Sequence, residues 1–433
     1  MKRPAWAWLA LSSLAFATAH AATRPHYGGS LTVELHAGSI PIDSAASALS
    51  IPITETLVRL NARGGVDPIL CVAWQHDPDF KRWRFSLRPK VTFHDGEPLT
   101  GATAAPSLLA ALKKKYSDVS IQTGGQAIVI QSGSAMPELL SDLAAPDSAV
   151  FRKNEANPRI PLIGTGPFRI TAWEPGRRLS LAAFDDYWNG RPYLDSVTVG
   201  LVAGQAHADI FDIPYGLTRR AFPEGTSIWT SAPRTLVAIT AANAPPALLQ
   251  ALALVIDRPP IANVLAQQRG DAAFSLLPQW LTGYAFLFQS TPDLEHAKQL
   301  VSQLRPAPMT LSYPANDVFL RTLAERVALN ARDAGIMIQP TPNAGGNLRL
   351  IELQMQSTDP ATELASIAAT LGLSVHIESG KPETLYQAER SLLDRVIPLV
   401  HLREIYAIVP RVHIESSKPG SFALHLEDAW VQP

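Results

Sequence analysis

The stretch Trp83-Arg-Phe-Ser-Leu-Arg-Pro-Lys-Val-Thr-Phe-His-Asp-Gly-Glu-Pro-Leu-Thr100 is the most patterned part of the N-terminal half. Trp83, Phe85 and Leu87 alternate with Arg84, Ser86 and Arg88. That period of two marks a half-buried strand. Pro89-Lys90 turns the chain, and Val91-Thr92-Phe93 begins a second short strand. His94-Asp95-Gly96 is a turn in which glycine accepts positive φ and the aspartate side chain bonds nearby backbone. Thr100 stands where an N-cap belongs, before an Ala/Leu-rich stretch reaching Lys115. Pro106 interrupts that stretch, so the helix is expected to be short or to begin there.

Working outward, Leu31, Val33 and Leu35 share one face of a strand that follows Gly28-Gly29. Residues 164–200 form a second dense patch. Gly164-Thr165-Gly166-Pro167 is a backbone corner, Phe168 and Ile170 lead to Trp173, and Glu174-Pro175-Gly176 turns into a strand carrying Leu179 and Leu181. This predicts a hairpin-rich, antiparallel or mixed sheet. The C-terminal half reads differently. Leu294, Ala297, Leu300, Val301 and Leu304 fall at helical spacing, and Met309–Tyr313 reads as a strand. Leu320, Leu323, Val327 and Ala331 mark a helix face, with Arg321 and Glu325 as an i,i+4 pair. Gly335 ends that helix and Ile336-Met337-Ile338 is the next strand, which completes a βαβ unit. The boundary between the two halves is expected near Ser231-Ala232-Pro233.

The chain has 433 residues, 36 prolines, 26 glycines and one cysteine. Charged residues make up 17% and hydrophobic ones 46%, a composition that is neither disordered nor that of a disulfide scaffold. The net charge of −1 gives no electrostatic case for nucleic acid. Cys71 alone can form no internal disulfide and no Cys-based zinc site. Lys2 and Arg3, the apolar run Ala5–Ala17 and the exit Ala19-His20-Ala21 read as a secretory signal peptide, residues 1–21. The run is short for a membrane anchor, since a span needs about 20 apolar residues. Cleavage after Ala21 removes two positive charges and takes the net charge from −1 to −3. No cysteine lies at the cleavage site, so the expectation is a periplasmic protein that is not a lipoprotein.

Several catalytic signatures are absent: no G-x-S-x-G elbow, S-x-x-K, H-E-x-x-H or P-loop occurs. The pairs His207/Asp209 and His76/Asp77 could each offer two metal ligands. Metal sites need three or four converging ligands, so these read as solvated loop residues. No metal, cofactor or catalytic residue is therefore expected, and the nine tryptophans read mostly as core.

The Trp83–Thr100 string resembles the signature of family 5 extracellular solute-binding proteins, the oligopeptide-, dipeptide- and nickel-binding proteins of ABC importers. Further echoes follow in order: Gly164-Thr-Gly-Pro-Phe168, Trp173-Glu-Pro-Gly176, Tyr187-Trp-Asn-Gly-Arg-Pro192, Ala208-Asp-Ile-Phe-Asp-Ile213, Ala253-Leu-Val-Ile-Asp-Arg258, Asp333-Ala-Gly-Ile336 and Leu426-Glu-Asp-Ala-Trp430. The resemblance implies an α/β fold of the two-lobed periplasmic-binding-protein type (class II), with a cleft between lobes joined by a hinge. On this reading residues 22–233 form lobe I with a mixed sheet. Residues 234–404 form an α/β lobe II, and 405–433 return to lobe I. It implies no enzyme, but a monomer that captures a small-molecule or peptide solute and delivers it to an inner-membrane ABC permease. The alternative is a non-transporting derivative acting as sensor or interaction module; an exported hydrolase comes third, for want of a nucleophile constellation.

The departures from the family bear on specificity. The mature chain is short for the family, and the acidic residue usual after Thr100 matches Ala104 or Ala105. In peptide-binding members an aspartate three residues before an Asp-Pro pair holds the ligand's α-ammonium group. Within Leu353-Gln-Met-Gln-Ser-Thr-Asp-Pro360 the matching position is Gln356, and the tryptophan expected nearby matches Leu353. A neutral amide cannot neutralise a buried charge. The solute is therefore expected not to be a simple peptide held by its free amine. Gln356 either faces the cleft or ends a surface strand; Asp359 could substitute by a shifted backbone. His36, after the first strand, lies near where family members contact ligand, though a solvated loop histidine is the alternative.

Overall fold

The computed structural model describes residues 24–432 except 36–48, 51, 62–64, 156, 158, 202–207, 214, 216–221, 242–243, 289–290, 343–344, 376, 378–381 and 415–422. His36, His207 and the expected signal peptide lie outside the described residues.

The elements that position the site are, in chain order, β1 (Ser30–Leu35), β2 (Cys71–His76), β3 (Arg82–Leu87), α1 (Gly101–Leu112), β4 (Ser120–Gly124) and β5 (Ala127–Gln131). Next come β6 (Phe168–Glu174), β7 (Arg178–Ala183), β8 (Ser196–Leu201), β9 (Ile210–Asp212) and β10 (Ser227–Ala241). The C-terminal half adds α2 (Pro246–Val255), α3 (Leu294–Leu304), β11 (Met309–Tyr313), α4 (Val318–Asp333), β12 (Ile338–Pro342) and β13 (Leu348–Gln354). Then follow α5 (Pro360–Thr370), α6 (Pro382–Leu392) and β14 (Val396–Ile408).

One eleven-stranded sheet runs through both halves in the order β6-β7-β8-β1-β9-β14-β10-β13-β11-β12. A short strand, Gly270–Ala272, pairs with β14 off that path. The sheet is mixed: β1 lies parallel to β8 and β9, while β7 is antiparallel to its two neighbours, β6 and β8. β11 and β12 are parallel and joined through α4, which is the expected βαβ unit. A second sheet of four strands, β2-β3-β5-β4, carries the Trp83 pattern. There Trp83, Phe85 and Leu87 are buried and Arg82, Arg84 and Ser86 exposed.

The four larger hydrophobic cores among the described residues follow from these faces. One joins β1, β6, β7 and β8, and another lies between β3, β5 and α1. The remaining two sandwich β10. Val237 and Ile239 face α2 and α4, while Leu236 and Ala238 face α5 and α6. A strand covered on both faces reads as a continuous apolar run, as residues 235–241 do.

Three local expectations change. Pro106 neither begins nor shortens α1 but sits inside it. The helix starts five residues earlier because Thr100 and Thr103 cap it reciprocally: Thr100 Oγ1 accepts from Thr103 N at 3.2 Å, and Thr103 Oγ1 accepts from Thr100 N at 2.8 Å. Val91–Phe93 forms only an isolated bridge between Thr92 and Pro98, held by Leu99 N donating to Val91 O and Phe93 N to Glu97 O, each at 2.8 Å; Pro98 itself has no N–H to give a ladder. The strand after α4 begins at Ile338, since Ile336 N still bonds Ala331 O (3.0 Å) past Gly335 at φ 83°.

Candidate functional site

The two resemblance patches meet in space. His94, from the first, sits over the Gly164–Gly166 corner of the second. Its Nδ1 accepts from Gly164 N at 3.2 Å, and its Nε2 donates to Gly166 O at 3.0 Å. Burial pushes the His94 pKa down to about 4, so the ring is neutral at pH 7 and can play both roles. A Cβ on Gly164 or Gly166 would run into Ile53 or Pro52 backbone, so only glycine permits this close approach. Asp95 behaves as the expected turn residue, accepting from Glu97 N at 3.1 Å.

That corner aims Thr165 at Glu55. The buried Glu55 carboxylate accepts from Thr165 Oγ1 (2.9 Å), Tyr187 OH (2.7 Å) and Trp188 Nε1 (3.0 Å). Burial raises its pKa, against the lowering pull of those three donors and Arg88. The Arg88 guanidinium lies 4.2 Å over the Trp188 ring. Glu55, Tyr187 and Trp188 form one wall of a cleft of about 760 Å³. Arg59, His425 and Glu427 add charge to the same side. His425 Nδ1 lies 3.2 Å from Glu427 Oε1. This hydrogen bond raises the His425 pKa; burial alone would raise Glu427, yet the histidine holds it below its ordinary value.

The opposite wall comes from the C-terminal half, where Arg234 and Gln356 line the cleft. Arg234 lies on β10, its side chain only 2% exposed. Its Nη2 donates to Met355 O at 3.0 Å, and its Nε lies 3.4 Å from Glu404 Oε1. Glu404 also accepts from Gln354 Nε2 (3.0 Å) and Tyr406 OH (2.6 Å). Burial lowers the Arg234 pKa, and Glu404 opposes that shift. Glu363 of α5 fixes the backbone of the neighbouring turn, accepting from Gln356 N and Ser357 N, each at 2.9 Å. Gln356 is one of the residues that line the cleft.

Asp359 is not among the cleft-lining residues. It caps α5, its Oδ2 accepting from Thr362 N at 2.8 Å. Asp209 corrects an expectation: it is no solvated loop residue but buried, held by Arg411 at 2.8 Å through both carboxylate oxygens and by Thr32 N at 2.9 Å. Among the described residues no group of three or more His, Cys, Asp or Glu could hold a metal. Glu55, Arg234, His425 and Glu427 escaped the sequence reading. The signal for Arg234 was there: it is the one charge in an otherwise uncharged run, 227–241, that is too apolar for a surface strand.

Comparison with known proteins agrees with this geometry. Residues 65–209 match the profile described as bacterial extracellular solute-binding proteins, family 5 Middle. The nickel-binding protein NikA of Staphylococcus aureus is 35% identical over 160 residues, 35% of this chain but only 32% of that relative. Solved structures match over the whole fold. NikA of S. aureus in complex with Ni(L-His)2 has a TM-score of 0.71 at 19% identity, covering 93% of this chain and 100% of that one. AgaA of A. tumefaciens R10 with agropinic acid has a TM-score of 0.73 at 19% identity, covering 94% and 99%. The profile match spans His94, the Gly164 corner and the Tyr187–Pro192 wall, and the likeness to the solved structures spans both halves: residues 65–209 are similar to the middle region of the family 5 bacterial extracellular solute-binding proteins, and the chain as a whole shares the fold of NikA and AgaA.

Proposed function

We propose that this protein is the solute-binding component of an ABC importer, taking a small solute into the cleft and presenting it to an inner-membrane permease. The observation that carries this reading is that one cleft draws its walls from both halves, Glu55, Tyr187 and Trp188 facing Arg234 and Gln356. Its volume of about 760 Å³ lies within the range of small-ligand sites, and domain interfaces are where such sites concentrate. Strands β10 and β14 cross between the halves, so bending there opens and closes the cleft. On this reading residues 22–233 act as lobe I, 234–404 as lobe II, and 405–433 return to lobe I. The protein works as a periplasmic monomer, exported by its cleaved N-terminal segment.

The solute class follows from the charges lining the cleft. Charges of both signs line the cleft, Arg59 and Arg191 with Glu427 and Asp428 among them, which suits a polar solute that carries a carboxylate beside a positive or donor group, and Gln356 stands where an ammonium-binding aspartate would be needed for a simple peptide. Relatives of the same fold are described with Ni(L-His)2, agropinic acid and a nonapeptide, and these define the probes. The test is a thermal-shift and calorimetric screen of the mature protein against opines, nickel–histidine and free and N-blocked peptides. A solute at 100 times its Kd adds about 2.7 kcal/mol of stability. Saturable binding, lost when Tyr187→Ala and Arg234→Met are combined, supports the reading. No stabilisation by any probe class overturns it.

A further inference from the structure

A second cavity, of about 370 Å³, lies in the C-terminal half, away from the cleft. Its walls are mixed, with an apolar part made by Leu254 of α2, Phe274, Phe288 and Ile397 of β14. Arg258 also lines it and is only 4% exposed. This arginine does part of its work for the fold. Its Nε donates to Pro398 O at 2.8 Å, and its Nη1 donates to Ala253 O at 3.0 Å and Ile256 O at 3.3 Å. The two Nη1 contacts satisfy carbonyls at the C-terminal end of α2, which the helix itself leaves open, and the Nε contact ties that end to β14. The guanidinium stacks on Phe274 with its carbon 4.9 Å from the ring centre.

Hydrogen bonds to carbonyls do not neutralise a charge. No carboxylate pairs with Arg258 among the described residues, and its Nη2 makes no hydrogen bond. Burial alone lowers its pKa, to about 10, which leaves it protonated at pH 7. A buried cation with no carboxylate partner at the wall of a cavity is costly unless something answers it. At the rim, Arg390 of α6 supplies a second, exposed cation, and Asp394 one exposed carboxylate.

We propose that this cavity is a second binding site, for a small organic anion with an apolar body, such as an aromatic carboxylate. The carboxylate pairs with Arg258 and Arg390, and the apolar body fills the space between Leu254, Phe288 and Ile397. Asp394 opposes the anion from the rim. The cavity volume is at the low end for small-ligand sites, which limits the occupant to about one ring and its acid group.

The test titrates methyl-labelled full-length mature protein with benzoate and with the neutral isostere benzamide. Benzoate should shift the methyls of Leu254, Leu393 and Ile397 saturably, and benzamide should bind at least about tenfold more weakly. Arg258→Gln can fail to fold, because it releases three carbonyls. The exposed rim therefore supplies the decisive variants. Arg390→Gln should weaken benzoate about threefold and Asp394→Asn should tighten it about twofold, as expected for partly screened charges. Equal binding of benzoate and benzamide, shifts confined to residues of the cleft, or no saturable shift would each overturn the proposal. None of these outcomes depends on which solute the cleft takes.

Discussion

Pro233 of β10 lies directly opposite Arg403 of β14, at the level where the ladder between the two strands shifts register on both sides. Proline has no N–H to give the ladder, so it is tolerated in a central strand only at such an irregularity. The two longest strands are thus locally unzipped where they pass from one half to the other. Arg403 is braced elsewhere, its Nη1 and Nη2 donating to Asp271 at 3.0 and 2.8 Å. The next residues along, Arg234 and Glu404, place an ion pair at that level beside the cleft, the arginine buried and the carboxylate partly exposed. On the proposed reading, a bend at Pro233 would move charged groups that line or support the cleft.

The Arg234–Glu404 pair should behave as one unit. Glu404→Leu leaves the buried Arg234 without its carboxylate and should destabilise by roughly 3 kcal/mol or more. Arg234→Met, close in volume, should cost less. The double variant should regain part of the loss, giving a coupling energy of at least about 1 kcal/mol. Urea denaturation of the four proteins at pH 7 measures this. Strictly additive effects would show that the two side chains do not depend on each other.

Gln356 separates affinity from stability. It is half-buried at the cleft, and Glu363 anchors its backbone N–H rather than its side chain. Gln356→Ala should change stability by no more than about 0.5 kcal/mol. The same variant should change affinity for the identified solute about tenfold, as expected for a lost cleft hydrogen bond of about 1.4 kcal/mol. Peptides with free and blocked N-termini should bind the wild type equally, or not at all. Nanomolar to micromolar peptide binding abolished by N-terminal blocking would refute this.

The sequence showed the strands and helices wherever a period was clean. The Trp83–Leu87 alternation, the 168–183 hairpin and the Met309–Asp333 unit all stand where the pattern put them. The site was less legible, because its parts are far apart in the chain. Glu55, Thr165 and Tyr187 converge only because a glycine corner lets residue 164 press on Ile53, a contact that no period encodes. Asp359 illustrates the opposite case. An aspartate before a proline at the start of a helix matches a cap and a ligand equally well in sequence, and the geometry makes it a cap.

Gly164 should be irreplaceable. A Cβ there meets the Ile53 carbonyl, which is backbone and cannot swing aside. Gly164→Ala should cost about 1–3 kcal/mol, in the range of overpacked cores. Solute affinity should fall too, since Thr165 and the Glu55 wall move with the corner. Gly176→Ala offers a contrast. That glycine has open space around it but φ of 66°, so only strain opposes the methyl, and the cleft should keep its affinity. Thermal denaturation and solute titration of both variants decide the matter; equal affinity losses would remove the corner's special role.

The His425–Glu427 pair predicts a pH dependence whose sign can be worked out. Folding raises the His425 pKa through its bond to Glu427, so its contribution is fully present below the ordinary histidine value of about 6.5. That contribution is lost as pH rises through the higher folded value. Glu427 is held below its ordinary value, so its share is present above about 4.3 and fades as pH falls through the lowered one. Both side chains are about a third exposed, 37% and 32%, so solvent screening keeps the effect to about 1 kcal/mol or less. Relative to His425→Gln, the wild type should be more stable at pH 5.5 and should lose that margin by pH 8.5. Urea denaturation at the two values measures it. A margin that stays constant, or grows with pH, would mean that the pair does not link protonation to folding.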